Sequence, residues 1–440
     1  MSTTTSPSPG TAPTPEDIVV HDVVVKPVSR TRRIVTGVVM ILVGALTFAL
    51  GRNAEAHSAR FDLSQGSEFI HLPDLVLPVA ATAYVCGVLI LVLGVLQAVK
   101  GFTKPWSTVV GSAVGLLFLL AFFCWAASGG TGSTIDLLGV LENTLGLAAP
   151  IILGALGAVL CERSGVINVA IEGQMLAGAW AGAMFGTVIG RSGGVVAALV
   201  AGALMGWLLA LFSIRYLVNQ VVLGVVLNVL ALGLTGFLYD ALMQPNQDSL
   251  NNPGSFDSIA IPVLSKLPLI GPLLFDQNVI VYLMYVLIVV IQVALFRTRW
   301  GLRTRAVGEH PKAADTVGIN VLRVRYRNVI MGGAIAGLGG AYMTIGAVGS
   351  FTKDITSGNG FIALAALIFG RWSPRGAVGA ALLFGFAYEL QTLLSLVQPP
   401  VTIPTNFLAM LPYLATIFAV AGLVGKVRAP AADGEPYVKE

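Results

Sequence analysis

Residues 297–327, RTRWGLRTRAVGEHPKAADTVGINVLRVRYR, form a polar and strongly basic island in an otherwise apolar chain. Eight Arg and Lys residues of this segment stand against one Glu and one Asp. Apolar runs long enough to cross a lipid bilayer flank the island on both sides. Because basic loops between membrane helices remain in the cytoplasm, the segment is predicted to be a cytoplasmic loop. It would then fix the orientation of the helices around it.

The composition of the whole chain is typical of a multi-pass membrane protein. Of its 440 residues, 55% are hydrophobic and 11% are charged, whereas soluble domains average about 25% charged residues. The formal net charge of +4 comes from basic residues at helix ends, which face anionic lipid, and does not indicate nucleic-acid binding. Three cysteines lie in or beside apolar runs without the spacing of a disulfide framework or a metal site. They are Cys86, Cys124 and Cys161.

The hydropathy pattern predicts an all-α integral membrane protein with about twelve membrane-spanning helices, each needing roughly 20 apolar residues. The predicted spans are 35–51, 73–98, 107–127, 136–160, 168–190, 194–214, 217–242, 278–296, 328–348, 359–370, 376–396 and 407–425. The distribution of Arg and Lys between the loops places both termini in the cytoplasm. The segment 359–370 is too short to cross alone, so it is predicted either to be a half-helix or to continue from an unwound stretch at 357–360.

The chain divides into two tails, an added module and a core. Residues 1–34 are rich in Ser, Thr and Pro, and they are predicted to be a disordered cytoplasmic tail. Residues 35–133 hold three helices with few polar residues and end in a Gly- and Ser-rich linker, which predicts an appended module. Residues 134–425 are predicted to form the core, and residues 426–440 form a short cytoplasmic tail.

The core is predicted to contain an inverted repeat. A Ser164-Gly165 pair precedes the helix at 168–190 on the cytoplasmic side, and a Ser357-Gly358 pair precedes the half-helix on the outer side. The two helices are five spans apart, and an odd offset inverts the topology. Transporters often place interrupted helices at matching positions of inverted halves, close to the substrate. A chance match of two short patterns is the alternative.

A few polar side chains lie deep in the predicted spans and are candidates for a substrate pathway. Glu172 lies about six residues inside its helix, or ~9 Å at 1.5 Å per residue. A charged side chain at the bilayer centre costs at least about 2.5–3.5 kcal/mol, so Glu172 is expected in a buried hydrogen bond or along the pathway. Asn168 lies one turn earlier on the same expected helix face, whereas Gln174 points elsewhere. The further candidates are Asn228, Asn359 and Phe361.

The sequence contains no pattern that indicates catalysis. It lacks the GxxxxGK[ST] motif of a P-loop, so it is not expected to bind ATP in that way. Its four His residues lack zinc-binding spacing, and no Ser/His/Asp arrangement can be proposed. We therefore expect no enzymatic activity, no metal and no cofactor of its own.

The basic loop also contains a candidate docking helix for a soluble partner. Pro311 is typical of the first position of a helix, and the Ala313-Ala314 pair followed by Gly318 resembles the coupling-loop signature of ABC importer permeases. The residues assigned to docking are Glu309, Pro311, Ala313, Ala314, Asp315, Gly318 and Ile319. The alternative is a basic loop that only obeys the charge rule for membrane proteins.

Three separated segments resemble the permease subunit of bacterial ABC importers for nucleosides, a branch of the group that includes ribose and branched-chain amino-acid permeases. They are ERSGVINVAIEGQM, GLRTRAVGEHPKAADTVGINVLRVRYR and GNGFIALAALIFGRWSPRGAVGAALLFGFA, and the tail APAADGEPYVKE is also similar to that branch. The resemblance covers about 136–440 and leaves the first three helices outside it. At Lys312 the chain departs from the general importer pattern, in which a glutamate often occurs, but this broader group shares the departure.

The resemblance implies one subunit of a heteromeric importer in the bacterial cell membrane. The chain would pair with a second related permease, rest on ABC ATP-binding subunits that hold the ATP, and receive nucleoside from an extracytoplasmic substrate-binding lipoprotein. It would supply half of the translocation pathway and dock the ATPase through residues 309–319. Three alternatives remain open: the same machine with ribose, another sugar or a branched-chain amino acid as cargo, an ion-coupled secondary transporter with Glu172 as proton carrier, and a membrane scaffold without transport.

Overall fold

A computed structural model describes residues 30–54, 58–64, 69–129, 134–397, 399–401, 403–411, 413 and 429–439. These residues group into two compact units. The first unit draws on Met1–Ala54 and Val79–Trp125, and the second on Glu55–Pro78 and Ala126–Glu440.

The first unit contains three apolar helices, which are α1 (Arg30–Arg52), α2 (Val79–Val99) and most of α3 (Lys104–Ala127). α1 and α2 approach closely because glycines on both helices leave room for the partner. A Cβ atom added at Gly44 would lie 2.8 Å from Cγ of Leu91, and one added at Gly94 would lie 2.9 Å from Cγ1 of Ile41. Small residues allow membrane helices to pack in this way without polar contacts.

The second unit contains the remaining helices. They are α4 (Leu137–Glu162), α5 (Ile171–Ile189), α6 (Arg191–Ala210), α7 (Gln220–Leu238), α8 (Gln247–Leu250), α9 (Ile270–Phe275), α10 (Val279–Arg297), α11 (Arg299–Glu309), α12 (Pro311–Thr316), α13 (Val321–Ala341), α14 (Asn359–Phe369), α15 (Pro374–Val397) and α16 (Thr405–Leu408). Single stretches of π-helix extend α6, α7 and α13, at Leu211–Arg215, Tyr239–Met243 and Tyr342–Val348.

Five short strands lie in the connections between helices. They are β1 (Ala59–Asp62), β2 (Leu75–Leu77), β3 (Thr134–Asp136), β4 (Ile259–Ala260) and β5 (Asp276–Gln277). β1 is the middle strand of a three-stranded sheet, antiparallel to β2 and parallel to β3. β4 and β5 form a separate antiparallel pair.

Nine helices of the described residues are long and apolar enough to cross a membrane. α5 falls short of that standard because Glu172, Gln174 and several glycines lower its hydropathy, and α14 is a shorter apolar helix. Together they match eleven of the predicted spans and confirm the all-α membrane fold. The twelfth predicted span, 407–425, lies outside the described residues except for 407–411 and 413.

One boundary prediction is wrong in a way that matters for the basic loop. The span predicted at 328–348 begins earlier, at Val321, because Asn320 accepts a hydrogen bond from the N–H of Arg323 and caps the helix. Three arginines assigned to the loop therefore lie on α13. They are Arg323, Arg325 and Arg327.

α4 forms the centre of the second unit. Of the 18-residue window that best fits a membrane span in α4, 89% is buried, and α4 packs against α13, α14 and α15. α5, α6 and α13 pack backbone against backbone through glycines: a Cβ atom added at Gly178 would collide with Gly337, and one added at Gly202 with Gly333. These contacts leave no space for larger side chains where the helices cross.

The predicted half-helix is α14. It has 11 residues, or about 16 Å at 1.5 Å per residue, which is half of the ~30 Å hydrocarbon core of a bilayer. Non-helical residues 349–358 precede it. Of the stretch predicted to be unwound, 357–360, only residues 357 and 358 are non-helical, whereas Asn359 and Gly360 are the first two residues of α14.

Candidate functional site

Glu172 holds the first turn of the half-helix α14. Its Oε1 atom accepts hydrogen bonds from Oγ1 of Thr356 at 2.5 Å and from the N–H group of Gly358 at 2.9 Å. Its Oε2 atom accepts a hydrogen bond from the N–H group of Gly360 at 2.6 Å. The first N–H groups of a helix have no partner within the helix, and negative charge is favourable at that end. Glu172 thus supplies from another helix the cap that α14 lacks in its own sequence.

Two glycines make this arrangement possible. Gly358 precedes the helix with φ of +86°, a left-handed conformation in which glycine is not strained. A Cβ atom added at Gly360 would lie 2.5 Å from the backbone N and Cα atoms of Glu172. α5 and α14 therefore touch through their backbones at this point, and Glu172 is only 8% exposed. Of the two expectations for Glu172, the structure shows the buried hydrogen bond.

Asn228 and Asn168 form hydrogen bonds with the residues at the start of α5. Oδ1 of Asn228, on α7, accepts from the N–H group of Gly173 at 2.8 Å, and its Nδ2 atom donates to the carbonyl of Val169 at 2.9 Å. Asn168 is fully buried, and its side-chain amide exchanges two hydrogen bonds with that of Gln174, at 3.0 and 3.2 Å. Both residues therefore hold structure, and their polar groups are engaged by protein.

The expected relation between Asn168 and its neighbours is wrong. α5 begins at Ile171, so Asn168 precedes the helix and does not share a helix face with Glu172. Gln174, which was expected to point elsewhere, is the bonding partner of Asn168.

Asn359 and Phe361 lie in the first turn of α14, next to the groups that Glu172 holds. Asn359 is half-buried, and its N–H group donates to the carbonyl of Thr356 at 2.8 Å. Phe361 is 49% exposed. These two predicted pathway residues therefore lie together at the start of the half-helix, and the Phe361 side chain is the more exposed of the two.

The other end of α14 is held by a second carboxylate. Oε2 of Glu162, the last residue of α4, accepts a hydrogen bond from Nε1 of Trp372 at 2.5 Å. Nε of Arg163 donates to the carbonyl of Trp372 at 2.6 Å, and Trp372 has φ of +53°. The short segment that runs from Glu162 to Glu172 is therefore hydrogen-bonded to Trp372, just after α14, and to the first turn of α14.

The candidate docking helix is α12. It begins at Pro311, as predicted, and ends in a turn with two hydrogen bonds: Gly318 N–H donates to the carbonyl of Asp315 at 2.9 Å, and Ile319 N–H to that of Ala314 at 3.0 Å. This pattern is the Schellman motif, which needs a left-handed residue after the helix, and Gly318 has φ of +82°.

The predicted docking residues divide into an anchored side and a free side. Ala314 is 3% exposed and packs with Ile319, whereas Ala313 is exposed. Glu309 is exposed at the end of α11, and its Oε2 atom accepts a hydrogen bond from the N–H group of Ala431 at 3.2 Å. α12 thus presents one face to solvent and rests on the protein with the other.

Comparisons with known proteins agree on one family. A family model described as the permease component of branched-chain amino acid transport systems matches residues 140–421. The guanosine ABC transporter permease protein NupQ of Bacillus subtilis (strain 168) is 42% identical over 314 residues, 68% of this chain and 96% of NupQ. The nucleoside ABC transporter permease protein NupC of Lactococcus lactis subsp. cremoris (strain MG1363) is 37% identical over 308 residues, 68% of this chain and 96% of NupC.

A third relative is the putative glucose ABC transporter permease protein TsgC13 of Haloferax volcanii, 32% identical over 258 residues, 58% of this chain and 77% of TsgC13. No solved structure matches the chain. The chain belongs to the ABC permease family. The resemblance read from the sequence is thereby confirmed, and so is the membrane location of the permease.

A basic groove lies beside α12 of the permease. Trp300, Arg303, Arg323 and Arg327 line it together with the turn at 318–320, and the Arg327 guanidinium lies 5.4 Å from the centre of the Trp300 ring. The groove adds positive charge to the surface that α12 presents.

Sequence reasoning missed Glu162, Trp372 and Thr356 as parts of the permease site. One signal was available for Thr356. The N–H groups of a half-helix that starts inside the membrane need acceptors, and Glu172 is a carboxylate that also needs donors there. No comparable signal identifies Trp372, because its partner lies 210 positions away in the chain.

Proposed function

We propose that this permease is the membrane-spanning subunit of an ATP-driven importer of nucleosides. The proposal rests on the structure of α12, a short helix that packs on the protein with one side and exposes the other. It occurs in a chain whose family consists of ABC permeases. Nucleoside as cargo is supported by two relatives with guanosine or nucleoside in their descriptions, both of which the chain matches over 96% of their length.

The ATPase docks on residues 309–319 in this proposal. Val317, just after α12, is 74% exposed and lies beside the free face of that helix. ATP is bound by that partner subunit, and the permease contributes no hydrolytic residue and no cofactor. Both termini face the cytoplasm, because the basic loop 297–327 does so.

The cargo passes near the start of α14, between this permease and a second, related one, and an extracytoplasmic lipoprotein delivers it. Asn168, Glu172 and Asn228 use their polar groups to hold protein structure, so they shape the pathway without lining it. Asn359 and Phe361 are the better candidates for direct contact. A ring such as that of Phe361 can stack on a nucleobase, an interaction worth about 1–3 kcal/mol in single-stranded nucleic-acid complexes.

The bonding of Glu172 weighs against a proton-driven carrier. Three donors occupy its two oxygen atoms, and protonation would turn one acceptor into a donor that faces other donors. A proton carrier has to accept and release its proton in each cycle, whereas both oxygen atoms of Glu172 are already engaged by the protein donors at the start of α14.

Reconstitution tests the proposal. The permease would be assembled in proteoliposomes with the ATP-binding subunit, the second permease and the binding lipoprotein of its own operon, and the uptake of labelled guanosine, ribose, glucose and leucine would be measured. We expect ATP-dependent uptake of nucleoside, and none with an ATPase subunit whose P-loop lysine is replaced by Ala. Uptake driven by a proton gradient without ATP would contradict the mechanism, and uptake of only a sugar or leucine would contradict the cargo.

A further inference from the structure

The last described residues, 429–439, lie against the loop that contains α12. The N–H group of Ala432 donates to the carbonyl of Gly308 at 2.9 Å, and the N–H group of Ala431 donates to Oε2 of Glu309 at 3.2 Å. The tail thus bonds to the last two residues of α11, immediately before α12.

Tyr437 anchors the tail in the apolar core of the same loop. It is 7% exposed and packs in one cluster with Val307 of α11, Ala314 of α12 and Val321 of α13. One side chain of the tail therefore belongs to the same apolar cluster as residues of all three helices of the loop. Val438, the next residue, is 61% exposed, so the tail is amphipathic at this point.

The tail also reaches the centre of the second unit. The carbonyl of Glu435 accepts a hydrogen bond at 2.8 Å from Nη1 of Arg325, a side chain of α13 that is 1% exposed. The carboxyl group of Asp433 lies close enough to that of Glu162 for the two to interact electrostatically. The tail backbone packs against the same segment, since a Cβ atom added at Gly165 would lie 3.0 Å from the carbonyl oxygen of Ala432.

These contacts form a continuous path from α12 to the half-helix. Tyr437 packs in the cluster that contains Ala314 of α12, the tail backbone packs against Gly165, and Glu162 bonds to Trp372 just after α14. Glu172 holds the opposite end of α14. The interaction between Asp433 and Glu162 along this path is electrostatic.

We propose that residues 430–439 are a clamp that transmits movement of α12 to α14, with Tyr437 and Asp433 as its positioning residues. The clamp rests on the proposed docking of an ATPase at residues 309–319. Gly308 of α11 already packs against Arg163, and the clamp adds a second connection from the loop to Glu162 and through it to Trp372.

The full complex in proteoliposomes tests the clamp, with nucleoside uptake and ATP hydrolysis measured in the same sample. We expect Tyr437→Ala to hydrolyse ATP but to import at least about fivefold less nucleoside per ATP, the lower end of typical allosteric coupling. The matched control is Val438→Ala, an exposed neighbour, which should keep the wild-type ratio. An unchanged ratio in Tyr437→Ala overturns the clamp, and so does a parallel fall of uptake and hydrolysis caused by loss of assembly.

A second readout separates the clamp from the proposed cargo. Ser357, just before α14, is exposed, and the three native cysteines are buried, so Ser357→Cys can be labelled selectively. We expect ATP to change its labelling rate in the otherwise wild-type complex and in Val438→Ala, but not in Tyr437→Ala. If the wild-type complex fails to import nucleoside, only the proposed function is contradicted, because the labelling experiment tests the clamp without measuring uptake. An ATP-dependent change in labelling rate that persists in Tyr437→Ala overturns the clamp.

Discussion

Replacing Glu172 by Gln should release the first turn of α14 while preserving the shape of the side chain. The amide keeps one acceptor oxygen, which can serve Thr356 and Gly358, but its NH₂ group then faces the N–H group of Gly360. A buried donor without a partner costs about 1–3 kcal/mol, and each of the two remaining bonds loses about 1 kcal/mol when its acceptor becomes neutral. Loss of negative charge at the helix N-terminus adds about 0.3–1 kcal/mol.

The sum is a loss of about 3–6 kcal/mol in the free energy that holds the first turn closed. At 1.4 kcal/mol per factor of ten, the lower value increases the open population by roughly a hundredfold. Hydrogen exchange of the amides of Gly358 and Gly360 measures this opening directly, because exchange requires the amide to leave its acceptor. We expect exchange of the peptide that contains residues 356–362 to accelerate by about that factor.

Glu389→Gln is the matched control for this experiment. Glu389 is also a buried carboxylate, 5% exposed, but it accepts a hydrogen bond from Asn143 on α4 and does not contact α14 through that bond. Its replacement should leave the exchange of residues 356–362 unchanged. If Glu172→Gln exchanges within about threefold of the wild type, the carboxylate is not what holds the half-helix, and the reasoning from charged hydrogen bonds is refuted.

Three further predictions concern the docking helix, the tail and the appended helices. Gly318→Leu should abolish ATP-driven uptake without affecting membrane insertion, since the left-handed conformation costs other residues about 1–2 kcal/mol; normal binding of the ATPase in a pull-down would contradict this. Burial raises the pKa of Asp433 from its ordinary value of 3.8 to about 7. The docked tail therefore binds more protons than the free tail, and docking should weaken as the pH rises from about 4 to 7 and level off above that. A fluorophore on Val438→Cys would report this, and Asp433→Asn should weaken the pH dependence, since Asp433 interacts with the buried carboxyl group of Glu162; a profile unchanged by Asp433→Asn would contradict it. Residues 134–440, secreted with a cleavable signal so that their N-terminus is translocated, should import nucleoside with their partners in the absence of residues 1–133; uptake that requires co-expression of 1–133 would contradict this.

The half-helix and the docking helix could be predicted because each follows from a local rule. Twelve apolar residues cannot cross a bilayer, so the segment 359–370 had to be interrupted, and the helix begins at Asn359. A proline lacks an N–H group, which is no loss at the first position of a helix, so Pro311 marked the start of α12. Neither prediction needs knowledge of distant contacts.

The position of Asn168 could not be predicted, because tertiary bonds decide where α5 begins. Ala170 offers no capping side chain at that position. The start of the helix is instead held by Asn228, whose side chain bonds to Val169 and to Gly173 across about one helical turn. Helical periodicity places residues 168 and 172 on one face only if the helix already includes both, and the sequence around them contains no stop signal.

The role of the tail was hidden for a different reason. Its polar composition is that of a solvated segment, and only Tyr437 among its last residues is a large side chain that is buried. A single aromatic residue in a polar tail does not predict docking, since isolated apolar residues are common on protein surfaces. Asp433 interacts with two buried charged residues, Glu162 and Arg325. Both belong to helices far away in the sequence.

The two carboxylates that grip α14 restrict how this half-helix can move. Only a few residues separate Glu162 from Glu172. The short segment between them is therefore hydrogen-bonded to both ends of α14, through Glu172 at the first turn and through Glu162 and Trp372 at the other end. Sliding α14 along α5 would break three hydrogen bonds to the charged oxygens of Glu172 at once, at about 1.5–3 kcal/mol each. Moving α14 together with that segment breaks none of them. Any rearrangement that opens a pathway beside α14 should therefore carry the segment 162–172 with it, and the tail that packs against Gly165 of this segment is placed where it can drive that movement.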